Sequence, residues 1–180
     1  MGTNSIIVEN EIIRCSSIRE YINSVPKCSG VYKIYVDEIG LEQFEDMQPL
    51  EYIDYNAKKL YLLYIGKSKD IQNRLEWHLG FFNISHQNIL NATLSTLRFS
   101  LIAFHKNLEL NEQNELNNFM DSYMYMQYNC SLDANKEELI LIGKHITPLN
   151  IKDNAHPKKF QLINQRKSKK QKYIERMNKR

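Results

Sequence analysis

The chain has 180 residues, 42% hydrophobic and 25% charged, with a net charge of +3. That length supports one main domain with a sizeable core, and no apolar run approaches the roughly 20 residues needed to span a bilayer. There is no signal-peptide pattern at the N-terminus. The three cysteines, Cys15, Cys28 and Cys130, are widely spaced and odd in number. They argue for a reducing compartment, cytoplasmic by default, and against a cysteine-based zinc site.

The net charge hides an asymmetry. Residues 152–180 carry 11 basic and 2 acidic residues, net +9, and residues 1–151 carry 13 basic and 19 acidic, net −6. A basic tail on an acidic body can hold a polyanion by releasing its counterions. The plainer alternative is a solubilising tail.

In chain order, residues 5–13 form a short apolar segment with alternating Glu, a strand or an arm. Ser16 or Ser17 caps a short helix over 18–24 that Pro26 closes. Residues 30–36, GVYKIYV, alternate β-branched and aromatic side chains and form the first core strand. Residues 37–56 contain 7 acidic and no basic residues, with Gly40 and Pro49 among them. They read as an inserted loop or hairpin with a short helix, too acidic to face DNA. Residues 60–65 form a buried strand, antiparallel to 31–36.

Gly66 breaks that run, and Asp70 caps a helix starting at Ile71 whose core stripe is Ile71, Leu75 and Leu79. Arg74 and His78 lie one turn apart on it and can converge on one spot, as in a phosphate-handling corner. Residues 81–95 are mixed, with helical character. Residues 97–104, LRFSLIAF, alternate and give a third strand. Residues 109–128 favour a helix, whose Met/Tyr stripe over 119–128 is core or an oligomer face. Asp133 or Asn135 caps the last core helix, which runs to about His145 before Pro148 stops it. A basic helix starts near Ser168. His86, His105, His145 and His156 have no ligand-like spacing, and no NTPase-type phosphate loop is present.

Several residues together carry a family resemblance. Gly30-Val31-Tyr32 on the first strand and Tyr64-Ile65-Gly66 on the second resemble the paired signatures of the GIY-YIG nuclease superfamily. Lys67 follows the second glycine, Arg74 stands eight residues beyond it, and His78 four residues later. Glu138 precedes the apolar pair Leu141 and Ile142, with Pro148-Leu149-Asn150 after them. The correspondence covers about residues 29–151, in family order. Two departures are the long acidic gap between the signatures and the extra chain ahead of the Glu-bearing helix. Glu137 beside Glu138 leaves the carboxylate ambiguous, and spacing favours Glu138. The resemblance implies an α/β (α+β) fold, a small three-stranded antiparallel sheet flanked by helices. An arm and short helix would occupy 1–28, the nuclease domain 29–151 with insertions at 37–56 and 105–130, and the basic tail 152–180.

Phosphodiester hydrolysis needs a deprotonated water, a cation on the non-bridging oxygens and relief for the leaving 3′ oxyanion. A hard ion such as Mg²⁺ or Mn²⁺ keeps most of its waters, so Glu138 alone suffices as its protein ligand. Arg74 would brace the scissile phosphate, and Tyr32, Tyr64, Lys67 and His78 would position and deprotonate the water. The resemblance implies that a tyrosine is the general base, Tyr64 first. An ordinary phenol of pKa about 10 needs Lys67 or the metal's field to serve. Asn150 would buttress the site. The expectation is a metal-dependent DNA endonuclease leaving 5′-phosphate and 3′-hydroxyl ends, a stand-alone enzyme of restriction or mobile-element type. Its specificity would come from residues 37–56 and 81–95, with a possible homodimer through the Met/Tyr helix. Alternatives are a binding module without catalysis and a repair-type incision nuclease.

Overall fold

Gly30–Asp37 form β2, the middle strand of a five-stranded antiparallel sheet in the computed structural model, which describes residues 10–81, 95–152 and 155–179. The sheet order is β1-β5-β2-β4-β3, with β1 at Ile13–Arg14, β3 at Tyr52–Tyr55, β4 at Lys58–Ser68 and β5 at Met124–Cys130. The described helices are α1 (Cys15–Glu20), α2 (Glu38–Leu41), α3 (Ile71–Leu79), α4 (Thr96–Phe104), α5 (Gln113–Tyr123), α6 (Ala134–Lys144) and α7 (Lys159–Asn178). β2 and β4 pair antiparallel, as expected for two strands joined by the acidic hairpin insertion, and Tyr32 stands opposite Gly66.

The larger core lies on one face of the sheet, under α1, α3, α4, α5 and α7. A smaller cluster of Tyr35, Leu60, Leu62, Ile65, Tyr125 and Ile142 lies on the other face, under α6. A β-bulge sorts the residues of β4 between the two. Ile34 pairs with Tyr64 but Tyr35 with Leu62, leaving Leu63 without a partner on β2. The extra residue shifts the phase of the strand. Leu60 and Leu62 therefore face α6, whereas Leu63 and Tyr64 join the larger core beside Tyr32.

The structure corrects several sequence expectations. The sheet has five strands, not three. Residues 97–104 are helix α4, and every one of them is buried. A run hidden on all sides has no solvent face to enforce a period, so its apparent alternation carried little information. The third core strand is β5, inside the segment expected to be one long helix. α5 ends at Tyr123, and residues 124–130 pair with residues 30–36 of β2. Phe119, Met120, Met124, Tyr125, Met126 and Tyr128 are all buried, so this stripe is core and offers no dimer face. Gly66 does not break β4, which continues to Ser68.

The helix expected over 18–24 is α1 followed by a 3-10 turn at Ile22–Ser24. α1 begins at Cys15, so neither Ser16 nor Ser17 is its cap. The basic helix begins at Lys159 rather than near Ser168, and buries Leu162 and Tyr173. The acidic 37–56 segment contains α2 and the edge strand β3, as a hairpin with a short helix. The expectation for residues 81–95 falls mostly outside the described residues.

Cys28 and Cys130 form a disulfide with Cα atoms 5.8 Å apart, and Cys15 is free and buried. The bond ties the entry of β2 to the exit of β5. Closing a loop of 102 residues contributes about 4.7 kcal/mol in the chain-entropy picture. Cysteine usage therefore gives no argument for a reducing compartment. None of the described helices is long and apolar enough to cross a membrane.

Candidate active site

Tyr32 and Tyr64 come to one face from neighbouring strands, their ring centroids 6.1 Å apart. Two close approaches explain the glycines around them. A Cβ on Gly66 would overlap the Tyr32 hydroxyl and the Tyr64 ring, so the tyrosine lies directly over the glycine. A Cβ on Gly30 would overlap the Asn129 carbonyl, so β5 can pair this closely only with glycine there.

α3 supplies the next two groups. Asp70 caps it by accepting a hydrogen bond from the Asn73 N–H at 3.0 Å, as predicted, and Gly80 ends it at φ 75°. His78 points into the protein, 1% exposed, with Nε2 2.7 Å from the Tyr32 hydroxyl and Nδ1 2.5 Å from Ser95 Oγ. Arg74, one turn earlier, is exposed, and among the described residues no carboxylate lies within ion-pair distance of it. The corner therefore divides its labour. His78 is a buried prop for Tyr32, and Arg74 is a free cation.

His78 is itself held by residues that sequence reasoning missed. Ser95 is the N-cap of α4, accepting from the Arg98 N–H at 3.3 Å while it meets the imidazole. Arg98 is fully buried. Its Nη1 donates to the His78 carbonyl at 2.9 Å, and its Nε and Nη2 donate to Gln113 Oε1 at 3.0 and 2.9 Å. The signal was present in LRFSLIAF, where an arginine stands inside an otherwise apolar run. A buried arginine requires fixed acceptors.

Burial, with Arg74 and Arg98 nearby, pulls the His78 pKa down from 6.5 to about 3. The imidazole is therefore neutral at neutral pH. An unfolded chain takes up a proton at this position near pH 6.5 that the folded protein refuses until about 3. Stability should accordingly fall as the pH drops through that window. His78→Gln should flatten the dependence by one proton, as read from urea midpoints at pH 4.5 and 7.5. An unchanged slope would show that His78 titrates normally.

β4 and α6 provide the remaining pair. Lys67 Nζ lies 2.6 Å from Glu138 Oε2. Glu137 instead accepts from Asn129 Nδ2 at 3.2 Å. Of the adjacent carboxylates, Glu138 is the one whose charge reaches both tyrosines. Burial pushes the Tyr32 pKa well above its ordinary value, with Tyr64 adding to the rise and Arg74 opposing it. Burial also raises Tyr64, as does Glu138, while Tyr32, Arg74 and Arg166 push back. Asn150 stands apart from the cluster. Its amide grips both the N–H and the carbonyl of Ile65, at 3.0 and 2.7 Å, bracing β4 beside Tyr64. Lys67, Arg74, Lys69, Asn73, Asp133 and Asn135 line an open groove of about 550 Å³ along this cluster.

A divalent cation is compatible with these donors. Glu138, beside the groove-lining Lys67, offers one oxygen ligand, and the nearby imidazole is unavailable because Tyr32 and Ser95 engage both its nitrogens. Among the described residues no three His, Cys, Asp or Glu cluster as a closed metal site. Any ion here would be mostly water-coordinated.

Paired strand tyrosines, an exposed arginine on an open groove and the Lys67–Glu138 ion pair beside them give this α+β domain groups suited to a phosphate ester. The family comparison agrees: the GIY-YIG catalytic domain matches residues 30–172, from the start of β2 into α7. The chain belongs to the GIY-YIG family. Comparison with curated proteins and with solved structures gives no match.

Proposed function

We propose that the protein is a metal-dependent DNA endonuclease that hydrolyses a phosphodiester to a 5′-phosphate and a 3′-hydroxyl. The observation that carries this reading is Arg74, an exposed guanidinium with no carboxylate partner among the described residues, at a groove shared with Lys67. A planar, permanently charged group in that position suits the scissile phosphate, which it would hold in line for attack. Water adds to phosphorus, the bond to the 3′ oxygen breaks, and that oxygen leaves as a hydroxyl once protonated.

Tyr64 is the better placed of the two tyrosines to receive the water's proton, which it would do as the phenolate, its own proton released to solvent under the field of Lys67 and of a cation held by Glu138. Tyr32 is more deeply buried and already engaged with His78, whereas Tyr64 is half-buried and feels both Arg74 and Arg166. Lys67, on the wall of the groove, holds Glu138 by an ion pair. A divalent cation held by Glu138, Mg²⁺ or Mn²⁺, would supply positive charge to the non-bridging oxygens.

The test is cleavage of supercoiled plasmid in Mg²⁺. Wild type should nick or linearise it, and Arg74→Ala should lower the rate by about 10³-fold. An inert wild type, or a variant that cuts normally, would remove the assignment. Sequencing the ends tells site-specific cutting, as in restriction or mobile-element enzymes, from non-specific cutting.

A further inference from the structure

The mechanism above uses the basic helix α7 only through the field of Arg166 at Tyr64, and its cations are not equivalent. Lys158, at its start, pairs with Asp46, and Lys169 and Arg176 pair with Glu109. Those charges fasten the helix to the acidic body. Arg166, Lys167 and Lys170 have no carboxylate partner among the described residues, although Arg166 is half-buried. Burying a guanidinium without an anion is costly unless something else compensates. Here part of the compensation is the ring of Phe99, 4.6 Å from the guanidinium carbon.

These three cations line a depression of about 380 Å³ with Phe99, Ile151 and Ile163. All its charged walls are positive and the rest are apolar. That combination fits a phosphate joined to an apolar sugar face better than it fits a free, fully hydrated anion. The depression is tied to β4 through the chain that forms its wall. Ile151 follows Asn150, which grips Ile65 next to Tyr64. Electrostatics supports the same placement, since Arg166 is among the groups opposing the upward push of burial on Tyr64.

We propose that Arg166, Lys167 and Lys170 form a second backbone-phosphate site, which seats a phosphate of the DNA strand away from the one held by Arg74. The inference rests on the endonuclease reading. On this view α7 belongs to the substrate-binding surface, where it sets how the strand lies across Tyr64. The three residues are positioning residues and touch no reacting atom.

The experiment compares wild type with Lys167→Gln/Lys170→Gln, using a fluorescein-labelled DNA duplex in EDTA for binding and Mg²⁺ for cleavage. Lys158→Gln/Lys172→Gln removes the same charge elsewhere on the segment and is the control. The Lys167/Lys170 variant should lower the slope of log affinity against log salt by about 2, about 1 per phosphate contact. Wild type's advantage should therefore shrink about tenfold between about 50 and about 200 mM salt. The cleavage defect should fall on KM more than on kcat, and Arg166→Lys should retain more affinity than Arg166→Gln. Equal salt slopes for the variant and wild type, or an equal effect from the control, would overturn the proposal while plasmid cleavage by wild type leaves the endonuclease reading standing. A wild type that binds DNA but never cuts removes the endonuclease reading, and with it this inference.

Discussion

Glu138→Gln should cost plasmid cleavage in Mg²⁺ on the order of 10³-fold while leaving the protein folded and able to bind DNA. The substitution keeps the shape of the side chain and removes its charge, so the affected quantity is charge at the groove. Its partner Lys67 is partly exposed and can turn to solvent, and a pair of this kind stabilises by only about 0–1 kcal/mol. At about 2–4 °C per kcal/mol for a chain of this size, the melting temperature should move little. Glu137→Gln is the matched control. Its carboxylate bonds Asn129 rather than Lys67, so cleavage should survive. Should Glu137→Gln be the silent enzyme and Glu138→Gln the active one, the carboxylate assignment would have to be exchanged.

Arg98→Ala should have the largest effect on stability, a loss of about 3–5 kcal/mol. It empties a fully buried volume and leaves the His78 carbonyl and Gln113 without their donors. The melting temperature should drop by about 10 °C. Arg98→Lys keeps the charge, which burial already depresses to a pKa of about 10, but a single ammonium cannot reach both acceptors in the fork geometry. It should fall between wild type and Ala. Activity should decline with stability, because Arg98 and Ser95 hold His78, and His78 holds Tyr32. A shift below about 2 °C for Arg98→Ala would mean that the buried charge costs as much as its bonds return.

Much of the site was legible because local rules wrote it. Tyr32 lies on a strand whose alternation shows in the sequence, and Tyr64 on one marked by an unbroken apolar run. Asp70 announces α3, which fixes Arg74 and His78 one turn apart. Asp133 announces α6, which carries Glu138. The division between Arg74 as an open cation and His78 as a buried prop was not legible. Both sit on one short helix, and only its packing decides which faces inward.

The two misassigned elements share a cause. LRFSLIAF is buried on every side, and MYMQYNC combines good helix formers with the alternation of a strand. For each, tertiary partners overrode a weak local preference. The cysteine pairing was similarly hidden, because Cys28 and Cys130 become neighbours only when β5 lies against β2.

By itself, then, the sequence determined the family, the order of the candidate site residues and the two main helix starts, since these follow from motif spacing, capping and period. The tertiary structure decided the five-strand order, the bulge at Leu63 that turns Tyr64 to the side of Tyr32, and the pairing of Lys67 with Glu138 rather than Glu137. These are questions of which face and which neighbour. Pairing and burial over long sequence separations answer them, and no local pattern contains that information.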